Sequence, residues 1–267
     1  MWIDAHSHVD RYGLINAQAL ASALVEIEQH RIWTVSNSID LPSYQHNLRI
    51  AERCHLVLPI FGVHPWAAQE YADRLQDLDA AIEQTPMIGE IGLDYFFVED
   101  AAAYPDQRKV FEYFLRAARE QGKLVCLHTK GAEREVLELL ERHDVHGEIV
   151  HWYSGPLDIF RQWVARGAYF TVGIEVLHVP HIQQIAREIP LARLLTETDD
   201  PGGPSASTGA PGTPALVQEV VRGLAAARNT TVEAILSAVQ CNFTELIRGN
   251  AWLARSWARV LAEPQTG

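Results

Sequence analysis

The feature that most constrains this chain is a rhythm. Eight short runs rich in apolar and β-branched residues recur between Trp2 and Asp199, at 2–8, 34–39, 57–64, 87–94, 124–130, 148–154, 168–174 and 194–199. Between them, 17–30, 71–84, 106–121, 133–142 and 157–166 read as helices. In 106–121, Val110, Phe111, Phe114, Leu115 and Ala118 fall on one stripe, the spacing of a helix that packs on a core. Strand–helix alternation predicts parallel strands with helical crossovers. Eight repeats predict an α/β protein folded as a single-domain (β/α)8 TIM barrel. An open doubly wound sheet has no need of the eighth strand. The barrel is expected over residues 1–263, with 264–267 a short C-terminal tail.

Composition agrees with one sizeable core. Hydrophobic residues make up 48% of the 267 positions, too many for a disordered chain. No apolar run approaches the ~18 residues of a spanning helix. The first residues lack a basic segment and include Asp4, so neither membrane insertion nor a cleavable secretory signal is expected. Cys54, Cys126 and Cys241 are odd in number and widely spaced, which fits a reducing cytosol and a cytoplasmic location. The net charge of −12 argues against non-specific duplex binding through a basic face. It leaves phosphate substrates open, because bound divalent cations supply local positive charge. Residues 201–214, PGGPSASTGAPGTP, are expected to form a loop over the barrel mouth, with no regular element. Helices are expected over 215–227 and 231–240, the second capped by Thr230 or Thr231.

The titratable residues gather at one end of this frame. His6 and His8 are two apart on the first strand and point to one face. Glu90 sits in IGEIGLDY near the end of the fourth, His128 in CLHTK, His151 in IVHWYSG and Asp199 in LLTETDDP. Barrel chemistry is built at the C-terminal ends of the strands, where all six fall. Imidazoles with carboxylates form a ligand set for divalent ions. Any one of these histidines alone reads as a bonded core residue; the convergence of six is what points to a metal. His64, in FGVHP, reads equally as a turn residue or as a contact to substrate or metal. Cys126 reads as a buried thiol, and His178 and His181 as surface loop. His30, His46, His55, His143 and His146 read as structural or solvated. Trp66, Tyr95, Phe96 and Trp152 stand just past strand ends, where an aromatic either stacks a base or packs beneath a loop. No P-loop and no Gly-x-Ser-x-Gly elbow is present.

At these residues the chain resembles the TatD family of metal-dependent deoxyribonucleases, within the amidohydrolase-like barrels. The matching blocks are IDAHSHVD, FGVHP, IGEIGLDYF, LHTKGA, VHWYSG, ETDDP and Asn242–Phe243. HWYSG is also similar to the TatD-like component of Qat anti-phage systems. The resemblance implies a two-metal centre. His6, His8, Glu90 and Asp199 would hold one ion, and Glu90 would bridge to a second held by His128 and His151. Zn, Mn, Mg and Ni are not distinguished by such ligands. Two departures bear on substrate. HTKGA stands where many relatives have HTRDA, so Lys130 keeps the charge and Gly131 replaces the acid. The segment after ETDD carries no basic residue where relatives often have an Arg-Gly-Lys loop.

The function so implied is hydrolysis of phosphodiester bonds at DNA ends by metal-activated water, with single-stranded DNA or ends as substrate. Asp199 and Glu90 would be catalytic, Asp199 as general base, with Glu197 behind the ligands. His64 and Lys130 would contact phosphate. The alternative keeps the metals and changes the bond: an amidohydrolase-like enzyme acting on a small amide, lactone or phosphoester. A third reading is a metal-loaded interaction subunit without turnover. No membrane and no obligate protein partner is expected.

Overall fold

The computed structural model describes residues 1–262, less the side chains of 206–208; the boundary at 263 and the tail 264–267 lie outside the described residues. All eight strands form: β1 (Trp2–Ser7), β2 (Ile32–Asn37), β3 (Val57–Ile60), β4 (Ile88–Gly92), β5 (Val125–His128), β6 (Glu148–Val150), β7 (Tyr169–Val172) and β8 (Leu194–Thr196). They pair in parallel and in chain order, as β1–β2–β3 and β4–β5–β6–β7–β8. Two seams join these sheets. At the first, Phe61 bridges Ile88, and Gly89 N donates to Phe61 O at 2.9 Å. At the second, Asp199 N donates to His6 O at 3.0 Å and His8 N to Asp200 O at 2.8 Å. The result is a (β/α)8 TIM barrel.

The strands are covered on both faces, which is why they read as near-continuous apolar runs rather than alternating ones. β2 and β5 are buried at every position. The helix Tyr104–Gln121 lays its expected stripe, Val110 to Ala118, against the barrel, and Phe114 meets Phe61 at 5.7 Å. Asn16 caps Ala17–His30, and Thr231 caps Val232–Ile247 through its side chain. The last helix, Ala251–Ala262, sets Trp257 edge-on to Trp33 and Phe243. Asn242 holds the entry to β8 by donating to Leu191 O and Leu194 O.

Three segments differ from expectation. Residues 71–84 are not one helix: Ala68–Tyr71 and Asp79–Gln84 are separate, because Arg74 leaves helical backbone at φ −140°, ψ 44°. The glycine-rich 201–214 segment contains a two-turn helix, Gly202–Thr208. Pro204 lies in its first turn, where no backbone N–H is required, and the helix stops at Gly209 in left-handed conformation. The helix expected to end at 240 continues to Ile247. Among the described residues, no helix is long and apolar enough to cross a membrane.

Candidate metal centre

The barrel brings His6, His8, Glu90, His128, His151 and Asp199 together over the C-terminal ends of the strands. His6 lies within β1 and His8 one residue beyond it; Glu90 is at the middle of β4 and His128 ends β5. His151 is the first residue after β6, and Asp199 stands three past β8. Glu90 is 1% exposed at the floor, so both its oxygens are aimed rather than solvated. Oε2 lies 3.5 Å from His6 Nε2 and 3.2 Å from His8 Nε2. Oε1 lies 2.8 Å from His128 Nδ1 and 3.3 Å from His151 Nε2. Asp199 Oδ1 completes the first set at 3.4 Å from both His6 and His8.

The far nitrogen of each imidazole decides what the near one offers. His8 Nδ1–H donates to Asn37 O at 3.0 Å, and His151 Nδ1–H to Glu197 Oε2 at 3.0 Å. His128 Nε2–H donates to Asp94 Oδ2 at 3.0 Å, and His6 Nδ1 meets Cys126 Sγ at 3.2 Å. His8, His151 and His128, held by acceptors on the far side, turn a lone pair inward, toward carboxylate oxygens. Lone pairs do not face one another without a cation or a proton between them. His6 Nε2 is fully buried without a hydrogen bond. This buried set of imidazoles and carboxylates, with His6 Nε2 left without a partner, fits divalent cations. Burial alone would raise the carboxyls, yet positive charge on the surrounding imidazoles, with a bond to His128, holds Glu90 well below its ordinary range; with neutral rings a bound cation would supply that charge. Asp199 is lowered likewise by His6, His151 and His8.

His64 has the opposite polarity. Its Nδ1 accepts from Trp66 N at 3.2 Å, which places the proton on Nε2, 3.2 Å from His128 Nδ1 and 3.5 Å from Glu90 Oε1. Burial lowers His64 to about 4, so the ring is a neutral donor facing the centre. Lys130 is turned elsewhere. Its Nζ donates to Trp152 O at 2.6 Å and Ser154 Oγ at 2.8 Å, with the ammonium 4.1 Å over the Trp152 ring. Burial lowers it to about 8, and it does not line the cavity over the centre.

Glu197 supports the site as expected from its spacing, taking Thr171 Oγ1 at 2.6 Å and Trp152 N at 3.0 Å besides His151. Asp94 was not legible as a member. It follows Glu90 by four residues, just past β4, and accepts from His128, from Trp66 Nε1 at 2.7 Å and from the Phe97 backbone. Its only sequence signal is a carboxylate in a strand-end loop. Gly203 passes the centre closely: a Cβ there would lie 2.5 Å from Asp199 Oδ2.

The cavity above these residues measures about 230 Å³, with Trp66, Phe97, Trp152 and Arg11 among its walls. A larger cleft of about 520 Å³ lies on the flank, beside Arg108, Glu135 and Arg142. Among the described residues, the three side-chain groups close enough to share a metal ion are all built from residues of the mouth. The smaller cavity is therefore the one that opens onto the candidate metal ligands.

Comparison with known proteins gives this geometry relatives. A family model described as TatD related DNase matches residues 3–248. The metal-dependent hydrolase YcfH of Escherichia coli K12 is 29% identical over 219 residues, covering 79% of this chain and 81% of that protein. The human deoxyribonuclease TATDN3 is 26% identical over 172 residues, covering 59% and 63%. The crystal structure of YjjV, a TatD homologue from Escherichia coli K12, superposes with a TM-score of 0.82 at 25% identity, over 92% of this chain and 97% of that one. The matched span contains all six residues of the centre and the strands that carry them. The chain belongs to the TatD related DNase family of metal-dependent hydrolases.

Proposed function

We propose that this hydrolase is a deoxyribonuclease that cleaves phosphodiester bonds at DNA ends and would use two divalent ions. The observation that carries the reading is Glu90, one buried carboxylate whose two oxygens face two separate pairs of imidazole lone pairs. His6, His8, Glu90 and Asp199 would hold one ion; Glu90, His128 and His151 would hold the other. When bound, such ions supply Lewis acidity, which acidifies water and offsets charge on a phosphoryl group.

The chain's own groups do the rest. Asp199, the most exposed carboxylate of the set with a side chain 16% accessible, accepts the proton of the attacking water. His64 donates Nε2–H to a phosphoryl oxygen and, being neutral, does so without titrating near neutrality. Asp94 keeps the proton of His128 on Nε2. Asp94→Asn removes the charge that favours this tautomer and is expected to weaken divalent-ion affinity about 10–100-fold. Manganese titration of metal-free protein reads this directly, and unchanged affinity would remove Asp94 from the account. Lys130 positions Trp152 rather than substrate. The three cysteines are free, in keeping with a cytoplasmic enzyme.

The test is end-labelled single-stranded DNA incubated with metal-stripped protein, with and without Mg²⁺, Mn²⁺ or Zn²⁺. Metal-dependent release of mononucleotides is expected, falling about 10²–10⁴-fold in Asp199→Asn. Metal binding with no shortening of DNA or RNA would sink the nuclease. One observation favours a second reading in that event: the cavity is smaller than the roughly 300–1,000 Å³ of most ligand sites. Hydrolysis of a small phosphoester, lactone or amide would then be the activity.

A further inference from the structure

One side chain in the cavity has no function in the account so far. Arg11 is the single Lys or Arg in its lining. It ends the short turn Val9–Arg11 that leads out of β1, three residues after His8. Among the described residues, its guanidinium makes no ion pair and no hydrogen bond. Asp10 beside it is already bonded to Ser43 and Asn47. The Arg11 charge acts on Asp10 but its N–H groups are bonded to none of the described residues, and a planar fork with free donors in a cavity wall suits a phosphate that arrives. Among the described residues, no other Lys or Arg lines this cavity. Lys130 is engaged by Trp152 O and Ser154, and residues 201–214 hold no basic residue.

Of the three large aromatic side chains that wall the same cavity, two are more than half exposed. Trp66 is 54% exposed and Phe97 51%, although both are rings that burial would favour. The Trp66 ring is fixed by its bond to Asp94 Oδ2, and Phe97 stands edge-on to it at 6.2 Å. An exposed ring held in place is a stacking platform for a base.

We infer that Arg11 forms a phosphate subsite beside the cleavage centre, receiving the phosphate next to the one attacked, while Trp66 and Phe97 receive the base. The inference rests on the proposed nuclease for the identity of the attacked group. The substrate class it selects is a nucleotide flanked by two phosphates, as within a strand end, over an isolated monoester.

The test is calorimetric binding to the manganese-loaded protein of thymidine 3′,5′-bisphosphate against thymidine 5′-monophosphate and 3′-monophosphate. The bisphosphate is expected to bind about tenfold tighter than either monophosphate, the scale of a charge-assisted bidentate contact. In Arg11→Gln the gap should close to about threefold or less, and Arg11→Lys should recover part of it. Phe97→Ala should weaken thymidine bisphosphate more than its abasic deoxyribose counterpart. A wild-type protein with no gap, or an Arg11→Gln protein that keeps it, overturns the subsite. The nuclease stands or falls separately: uncut DNA with an Arg11-dependent gap removes only the nuclease, and cut DNA with an Arg11-independent gap removes only the subsite.

Discussion

Glu90→Gln is expected to lower turnover by about 10³-fold or more while the barrel remains folded. Removing a single preorganised electrostatic group costs about 10²–10³ in rate, and Glu90 faces both halves of the centre. Glutamine keeps the shape of the side chain and loses its charge. Five imidazoles, His64 among them, then surround a neutral amide, and neither proposed ion retains its shared anionic ligand. The effect separates from misfolding by a second measurement. A ligand at 100 times its dissociation constant stabilises the folded state by about 2.7 kcal/mol, worth roughly 5–10 °C in a chain of this size. Manganese should raise the melting temperature of the wild type by that order and leave Glu90→Gln nearly unmoved. A variant that melts like the wild type with metal, and still cleaves, would show that Glu90 is not the bridge.

Gly92→Ala is expected to have the largest effect on the fold. Gly92 ends β4 at φ +146°, a conformation L side chains rarely adopt, and it pairs with His128 of β5. A Cβ there would lie 1.9 Å from the His128 carbonyl oxygen and 2.9 Å from its carbon. The obstacle is backbone, so no rotamer relieves it, and moving β5 displaces His128 from Glu90. A cost of about 4–5 kcal/mol or more is expected. Total stability of a domain is only about 5–15 kcal/mol, so much of the folded protein would be lost. Gly122→Ala is the control. Gly122 is also left-handed, at φ +61°, but a Cβ there meets nothing within 4 Å, and about 1 kcal/mol is expected. Denaturant unfolding of the two variants checks the contrast. Equal midpoints would mean that the close approach of β4 and β5 does not constrain the site.

Both predictions act on features of different legibility. Glu90 stood out because a carboxylate in an apolar strand is rare, and because other ligand-type residues recurred at the ends of neighbouring strands. Gly92 did not stand out, since one glycine in GEIGLDY says nothing of the carbonyl it must pass. Asp94 and Arg11 were missed for a similar reason. Each is a common charged residue in a strand-end loop, and only its partner, or its lack of one, marks it. The helix Gly202–Thr208 was missed because its composition opposes helix formation; packing of the loop over the mouth overrides that local preference.

What the sequence by itself determined is the set of quantities that repeat locally. Strand-and-helix alternation is written in neighbouring residues, so eight βα units and their active end follow from periodicity alone. The ordered blocks from His6 to Asp199 likewise specify the residue types of the centre. What only the tertiary structure decided is direction. Which nitrogen of His8, His128 or His64 faces inward depends on Asn37 O, Asp94 and Trp66 N, groups brought near by barrel closure. Two oxygens of one carboxylate come to face four histidines because β1 and β8 meet, through His6 and Asp199, across 193 residues of chain. Hydrogen-bond polarity is set by whatever lies within about 3 Å, and a linear chain does not record what that will be.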